Sequence, residues 1–396
     1  MKFNKWTVAL AAVGVVSLAS AVRADEHLSQ VQTALSNTTI SGYVDVSAQW
    51  NLGNQNGTES KYPAYAYGGL WGKADGFNLN GVDIALNKPM DESQWASGYR
   101  VELMIGPDSP MYGGEYGGAA LRQAYITLRT PVGNGIDWKV GVFDSPLGYE
   151  STSDPLNPNY TRSYGYTIEP TTLTGILATY KVNDVVALQA GIADTWSGYN
   201  GRSDRESEKT YLADIALTAP DSWGWIKGAT LNAGVEDALG SGSSSDGRGA
   251  TSWYLGATVP TPITKLKLGV AFDYYDDHNS GAGNSSDDSI WVAGLYATYQ
   301  ATDKLSLSLR AEYLNEDGVS LNDVPGVDYG WSYRHNDSAE EVTATAQYQL
   351  WANVLSRVEF RWDHLEHGKA FDNVPVGYAP AHDNAYMLAL NLIYQF

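Results

Sequence analysis

The sequence predicts an all-β protein: a transmembrane, antiparallel, up-and-down β-barrel of about sixteen strands. Three observations support this fold class. Apolar and polar residues alternate in many segments, short and long connections alternate along the chain, and the last segment ends on an aromatic residue. Alternation with a period of two places successive side chains on opposite faces, which is typical of a β-strand with one apolar face.

The segment from Tyr386 to Phe396 shows this alternation most clearly. Its apolar face carries aromatic residues at both ends, as expected for a strand that faces lipid between two aromatic girdles. A C-terminal strand that ends in Phe also resembles the sorting signal of Gram-negative outer-membrane barrels. Tyr394 and Phe396 are therefore predicted to be recognised by the barrel-assembly machinery. A half-buried strand of a soluble β-protein is the alternative for this segment alone.

Charged residues occupy mid-strand positions in the predicted strands 99–105, 305–313 and 354–362. In a soluble sandwich these polar faces would meet bulk water. In a membrane barrel they would line an aqueous lumen, and the apolar faces of the same strands would contact lipid. Alternation by itself leaves both environments open. In the barrel interpretation the pore-lining candidates on the wall are Arg100, Glu102, Arg122, Arg310, Glu312, Arg357, Glu359 and Arg361.

The connections favour the barrel. Short ones follow the even-numbered predicted strands, as at 131–135 and 300–304, and long polar ones follow the odd-numbered strands, as at 145–171 and 238–250. Tight turns at one end and long loops at the other are typical of bacterial outer-membrane barrels, and a Greek-key sandwich would not sort its loops in this way. About sixteen strands leave a water-filled channel, and an even count puts both termini on the periplasmic side.

The N-terminus has the features of a secretory signal peptide over residues 1–24, with Lys2 and Lys5 before an apolar stretch. Residues 25–38 are predicted to be a short periplasmic segment, and 39–396 the barrel in the outer membrane. The chain has no Cys, 27 Tyr and 13 Trp, and Tyr and Trp suit membrane interfaces. Its formal net charge of -20 argues against nucleic-acid partners.

Several motifs resemble the OmpL-like β-barrel porin family. They include segments 40–45 and 98–103, and the more specific segments 148–150 and 157–163, which read Gly-Tyr-Glu and Asn-Pro-Asn-Tyr-Thr-Arg-Ser. Gly141-Val142-Phe143-Asp144 departs from the Gly-Lys-Phe of the family. The resemblance implies an outer-membrane porin without naming its solute. With the predicted channel, it leads us to expect passive diffusion of small hydrophilic solutes and ions.

Connection 145–171 is the third long loop, which in general porins folds back into the lumen and narrows it. It contains four prolines, Pro146, Pro155, Pro158 and Pro170. Proline restricts the backbone and would help to hold a folded-in loop. We expect Glu150, Asp154 and Arg162 to face the wall arginines and to form a constriction that selects by size and charge. A solvated outer loop with ordinary charges is the alternative.

Two other function classes stay open: a lipase-like outer-membrane barrel enzyme, and a non-conducting adhesin or structural barrel. None of the six His lies in a recognisable Ser or Asp motif, so no catalytic residue is predicted. No cofactor is predicted either. Outer-membrane lipid and small solutes are the expected partners, and a homotrimer is a candidate assembly. The acidic long loops predict a mild preference for cations.

Two groups of residues weakly resemble metal sites. One is an aspartate cluster around a single loop, which lacks the spacing of a complete Ca²⁺ loop, so a solvated acidic surface is the simpler interpretation. The other contains two His and lies where a strand enters a loop instead of on a helix face, and no metal site is predicted for either group. The two groups are Asp273, Asp276, Asp277, Asp287 and Asp288, and Asp363, His364, Glu366 and His367.

Overall fold

The computed structural model describes residues 31–32, 37–52, 75–109, 118–196, 209–239, 249–278, 289–318, 324, 338–367 and 382–396. The predicted signal peptide, 1–24, and most of the predicted periplasmic segment, 25–38, lie outside these residues, as do Asp287 and Asp288. Both of those segment assignments stay predictions. Within the described part of the chain, no helix is long and apolar enough to cross a lipid bilayer.

Sixteen long strands form the wall, and a two-residue strand, β1 (Val31–Gln32), pairs with the first of them. The long strands include the segments predicted from alternation. Their bounds are β2 (Thr39–Leu52), β3 (Gly76–Lys88), β4 (Ser97–Ile105), β5 (Ala119–Thr130), β6 (Ile136–Asp144), β7 (Thr172–Lys181), β8 (Val186–Ala193), β9 (Thr210–Thr218), β10 (Thr230–Ala238), β11 (Ala250–Pro260), β12 (Leu266–Asp277), β13 (Ser289–Gln300), β14 (Leu305–Asp317), β15 (Ser338–Trp351), β16 (Val354–Leu365) and β17 (Asn384–Gln395).

The sheet closes on itself. Each of β2 to β16 pairs antiparallel with the next strand, and β17 pairs antiparallel with β2. At the seam, the backbones of Gly42 and Phe396 exchange two hydrogen bonds of 3.0 Å. A closed sheet has no free edge and satisfies its backbone groups between strands. The predicted sixteen-stranded up-and-down barrel is therefore confirmed.

The two faces of the wall have different chemistry. On β17, Leu388, Leu390 and Leu392 point outward, and Leu390 is 44% exposed, whereas Met387 and Ala389 on the inner face are fully buried. Outward-facing aromatic residues lie near both ends of the strands, for example Trp253, Tyr386, Tyr348 and Tyr394. An apolar outer band between aromatic girdles is the surface that a membrane barrel presents to lipid.

The short turns lie at one end of the barrel. The turn at 131–135 uses Gly133 and Gly135 at φ of +59° and +96°, which glycine adopts readily because it has no Cβ. The strand ends that precede and follow the long connections are at the other end, and among these connections 145–171 is described in full. It contains a 3₁₀ turn, Asp154–Leu156, and the short helix α1 (Tyr164–Ile168). The Oγ of Ser163 caps α1 by accepting a hydrogen bond from the Tyr166 N–H at 3.0 Å.

Candidate functional site

Loop 145–171 lies inside the barrel and contacts several sides of the wall. The Tyr160 hydroxyl donates to Ser47 Oγ on β2 at 2.6 Å, and the Tyr164 hydroxyl donates to Asp363 on β16 at 2.8 Å. The Tyr149 hydroxyl lies 3.1 Å from the Thr258 hydroxyl on β11. Because these strands stand at different positions around the ring, the loop crosses the lumen instead of following one side.

Helix α1 packs into an apolar cluster inside the barrel. All five of its residues are buried, and Ile168 belongs to the same cluster as Ile290 and Val292 on β13 and Leu314 on β14. Apolar side chains on the inner face of a membrane barrel would otherwise meet water. Burial of this surface therefore helps to keep α1 inside the lumen.

Arginines on the wall bind backbone carbonyl groups of the loop. Arg357 donates to the carbonyl of Asp154 at 2.9 Å and to that of Asn157. Arg361 donates to the carbonyl of Arg162 at 2.6 Å, and Arg310 donates to the carbonyls of Thr161 and Arg162 at 2.7 and 3.1 Å. Hydrogen bonds from a charged donor are stronger than neutral ones, so these contacts fix the path of segment 154–162.

Glutamates on the same strands bind N–H groups of the loop. Glu359 accepts from the backbone of Tyr160 at 2.5 Å and of Thr161 at 2.9 Å. Glu312 accepts from the backbone of Tyr164 at 2.7 Å and of Gly165 at 3.3 Å. Carbonyl and N–H groups of a buried loop both need partners, and the alternating charges of β14 and β16 supply both kinds.

The buried arginines are also paired with carboxylates. Arg310 lies 2.7 Å from Glu150 of the loop and 3.1 Å from Glu341 of β15, and Arg361 lies 2.7 Å from Asp363. The side chains of Arg310 and Arg361 are fully buried. Burial of a charge is costly unless a counter-charge and hydrogen bonds accompany it, and both accompany these two arginines.

A second charged group holds the beginning of the loop. Arg122 on β5 bonds to Glu102 on β4, to Asp144 at the end of β6 at 3.1 Å, and to the Thr152 hydroxyl. Arg100 pairs with Glu102 at 2.5 Å, and its side chain is 27% exposed. Arg122 and Glu102 are buried, whereas Asp144, at 28% exposed, and Arg100 are the more open members of this group.

The far end of the loop carries a buried carboxyl group. Glu169 Oε1 accepts from the backbone N–H of Tyr149 at 3.3 Å. Burial raises the pKa of Glu169 well above its usual value, and the negative charge of Asp273 on β12 raises it further. Burial also raises the pKa of Tyr149 to about 12. The neutral form of Glu169 is therefore favoured, and Tyr149 stays uncharged at neutral pH.

The predicted pore residues of the wall and the loop lie close to one another in the structure. They are arranged around loop 145–171, which many of them contact. Glu150 and Arg162 bind groups of the loop and wall, and Arg162 pairs with Asp154 within the loop at 2.5 Å. Glu341 is not among the predicted site residues, and Asp363 is named from the sequence only as part of a metal-like group; these two carboxylates complete the ion pairs of β14 and β16. Alternation places both on the inner face. The partner of each arginine depends on strand register, which no sequence signal reports.

The two metal-like groups of the sequence are divided between faces. Asp363 points inward on β16, whereas His364 points outward and lies 3.1 Å from Asn384. Asp273 points inward on β12 and Asp276 outward. Among the described residues, no three or more His, Asp or Glu side chains are placed to hold a metal ion.

Solved structures with a similar fold are outer-membrane proteins. The DcaP channel of Acinetobacter baumannii is 14% identical, with a TM-score of 0.60 over 93% of this chain and 100% of that one. OmpT of Vibrio cholerae, solved in a trimer form, is 14% identical, with a TM-score of 0.53 over 91% and 99%. An anion-selective porin of Comamonas acidovorans is 11% identical, with a TM-score of 0.55 over 91% and 99%.

At these identities the similarity establishes the fold alone. No curated protein matches the chain. The family is established by sequence: the model of the family described as "Putative beta-barrel porin-2, OmpL-like" matches residues 37–396, which is nearly the whole chain. This confirms the resemblance found in segments 40–45, 98–103, 148–150 and 157–163, and the chain belongs to this family of outer-membrane porins.

Proposed function

We propose that this porin is a passive diffusion channel for small hydrophilic solutes and ions, and that loop 145–171 forms its constriction. The observation that carries this proposal is the position of the loop, which reaches β2, β11 and β16 from inside the barrel. A loop that crosses the lumen reduces the free cross-sectional area of the channel. Solutes are then selected by size and by the charges that border the remaining space.

In this proposal the buried arginines position the loop. The donors of Arg310, Arg357 and Arg361 are directed to loop carbonyls, to wall carboxylates and to the side-chain oxygens of Gln347 and Asn391. These side chains are almost fully buried, so their influence on a passing solute is exerted through the loop that they hold. Arg100, which is partly exposed, is the predicted pore residue that we expect to meet solute directly.

Shortening the loop tests the proposal. Deletion of about ten residues within 150–165 should raise single-channel conductance roughly two-fold, because conductance depends on the free cross-section. The measurement is a planar-bilayer recording of purified protein. A deletion of similar length in the Gly- and Ser-rich segment 240–248 is the matched control and should change conductance little. Equal conductance for the wild type and the 150–165 deletion would refute the constriction.

The other function classes predict different results in the same preparation. A lipase-like barrel would hydrolyse ester substrates, and an adhesin or structural barrel would show no conductance. For assembly, we propose a homotrimer, in line with the trimer form in which V. cholerae OmpT was solved. We also propose outer-membrane lipid and the barrel-assembly machinery as partners.

A further inference from the structure

A cavity of about 60 Å³ lies between the two ends of the loop and the inner wall formed by β9–β11. This space is enough for on the order of four water molecules. Three carboxylates and three tyrosine rings border it, together with Leu147 and Pro146, and the described residues that line it include no Lys or Arg. The carboxylates and the rings belong to Asp144, Glu150, Glu169, Tyr149, Tyr166 and Tyr254.

The wall beside this cavity carries side-chain oxygens that could accept hydrogen bonds but have no donor partner among the described residues. Asp214 on β9 lies opposite Gln189 on β8 and opposite Gly234 on β10, and Asn232 and Glu236 flank that glycine on the same face. Both carboxylate oxygens of Asp214 lack a hydrogen-bond partner among the described residues, as do Gln189 Oε1, Glu236 Oε2 and Asn232 Oδ1. Asp214 is 5% exposed and Gln189 8%. A buried acceptor without a donor is unfavourable, so this group favours a ligand that brings N–H groups.

The acceptors and the cavity are adjacent. Asn232 lines the cavity, and so does Leu147. A Cβ built on Gly234 would lie 2.4 Å from Leu147 Cδ2 and 3.1 Å from Asp214 Oδ2, so both side chains lie over this glycine. Because Gly234 has no side chain, the Asp214 carboxylate can lie close to Leu147, which lines the cavity.

The charge of this wall selects the ligand class. The inner faces of β8–β11 carry Asp214 and Glu236 and no Lys or Arg. The loop adds acceptor oxygens of Glu150, which pairs with Arg310, and of Glu169, whose pKa is raised by burial, to the same cavity. A metal ion would need a set of closely placed ligands, which the described residues do not provide. Acceptor oxygens beside apolar and aromatic side chains suit an organic ammonium group, which combines N–H donors with a short carbon chain.

We propose that this recess, formed by the cavity and by Gln189, Asp214, Asn232 and Glu236, binds the ammonium group of a small primary amine. Asp214 accepts one of its three N–H hydrogen bonds, two oxygens from among Gln189, Asn232 and Glu236 accept the others, and its carbon chain lies against Leu147 and Tyr254. The proposal extends the channel function, because it assumes that the amine enters the recess from the lumen.

Ligand-observed saturation-transfer NMR on the full chain in detergent micelles tests the site, with n-propylammonium chloride as the probe. We expect binding of n-propylammonium and no binding of n-propanol, which has the same carbon chain without the charge. Asp214→Asn should weaken the apparent affinity at least about ten-fold, because it removes a charged acceptor. Asp237→Asn, the same change on the outer face of β10, is the matched control and should leave the affinity unchanged.

The outcomes separate this site from the channel function. Absence of n-propylammonium binding, equal binding of n-propanol, or equal loss in Asp214→Asn and Asp237→Asn would overturn the site. Conductance in KCl, recorded on the same preparation without amine, tests the channel independently. Binding that depends on Asp214 in a protein that does not conduct would support the site and refute the channel. Reduction of K⁺ current by n-propylammonium in the wild type but not in Asp214→Asn would support both.

Discussion

The role of a charged residue in this barrel depends on its partners. Arg310, Arg357 and Arg361 are typical of pore-lining residues by their position in the strand pattern, yet each donates to a carbonyl of the loop. A buried arginine is tolerated when its N–H groups are hydrogen-bonded, and Arg310 and Arg361 are also paired with carboxylates. We infer that these arginines stabilise one loop conformation, and that more exposed groups such as Arg100 act on solutes.

Removal of a single anchor should loosen the loop. Arg357→Met removes charge-assisted hydrogen bonds to the carbonyls of Asp154 and Asn157, each worth about 1.5–3 kcal/mol. The chain contains no Cys, so Ser153→Cys provides a single site for a spin label immediately before these contacts in the loop. We expect faster label motion, measured by electron paramagnetic resonance, when Arg357 is replaced.

The matched control for this experiment is Arg129→Met. Arg129 pairs with Asp137 at 2.6 Å near the short-turn end, away from the loop, and the pair is partly exposed. Label motion should therefore stay as in the wild type. If Arg357→Met and Arg129→Met give the same spectrum, the hydrogen bonds of Arg357 do not hold the loop.

Strand β17 closes the barrel and also contains the residues of the proposed sorting signal. It closes the barrel by pairing with β2 along its length, from Tyr386 with Leu52 to Gln395 with Tyr43. Beyond its last paired residue, Phe396 exchanges two backbone hydrogen bonds with Gly42. We propose that Tyr394 and Phe396 also form the signal that the assembly machinery recognises. The last part of the seam and the proposed signal therefore lie at the same end of the barrel.

Deletion of Phe396 should reduce assembly into the outer membrane without changing the conductance of the channels that insert. We expect severalfold less folded barrel in outer-membrane fractions, because the proposed signal and two hydrogen bonds at the seam are lost. Channels that do insert should conduct as the wild type does, since the loop contacts are unchanged. Phe396→Trp keeps an aromatic end and should restore insertion. Normal membrane levels after the deletion would contradict a role for Phe396 in sorting.

Across the whole molecule, the charges are distributed unevenly around the lumen. The arginines of β4, β5, β14 and β16 face the lumen together with carboxylates on the same or neighbouring strands, whereas the inner faces of β8–β11 carry Asp214 and Glu236 without a basic residue. A surplus of negative charge on one side raises the local concentration of cations.

The expected result is a mild cation preference, with a permeability ratio for K⁺ over Cl⁻ on the order of two at low salt. A zero-current potential in a KCl gradient measures it. Because the field is screened, the preference should fall as the salt concentration rises. Replacement of Asp214 and Glu236 by their amides should lower the ratio, and Asp237→Asn should not. An anion preference of the wild type at low salt would contradict the prediction.

The sequence by itself determined the barrel, its about sixteen strands, its outer-membrane location and its family, because alternation, turn spacing and local motifs are all read along the chain. Proline content and loop order also pointed to 145–171. Only the tertiary structure decided what the buried charges do. Tyr160 and Glu359 are 199 residues apart in sequence, as are Arg162 and Arg361. Such contacts depend on strand register and on the docked path of the loop, which emerge only when the sheet closes around it.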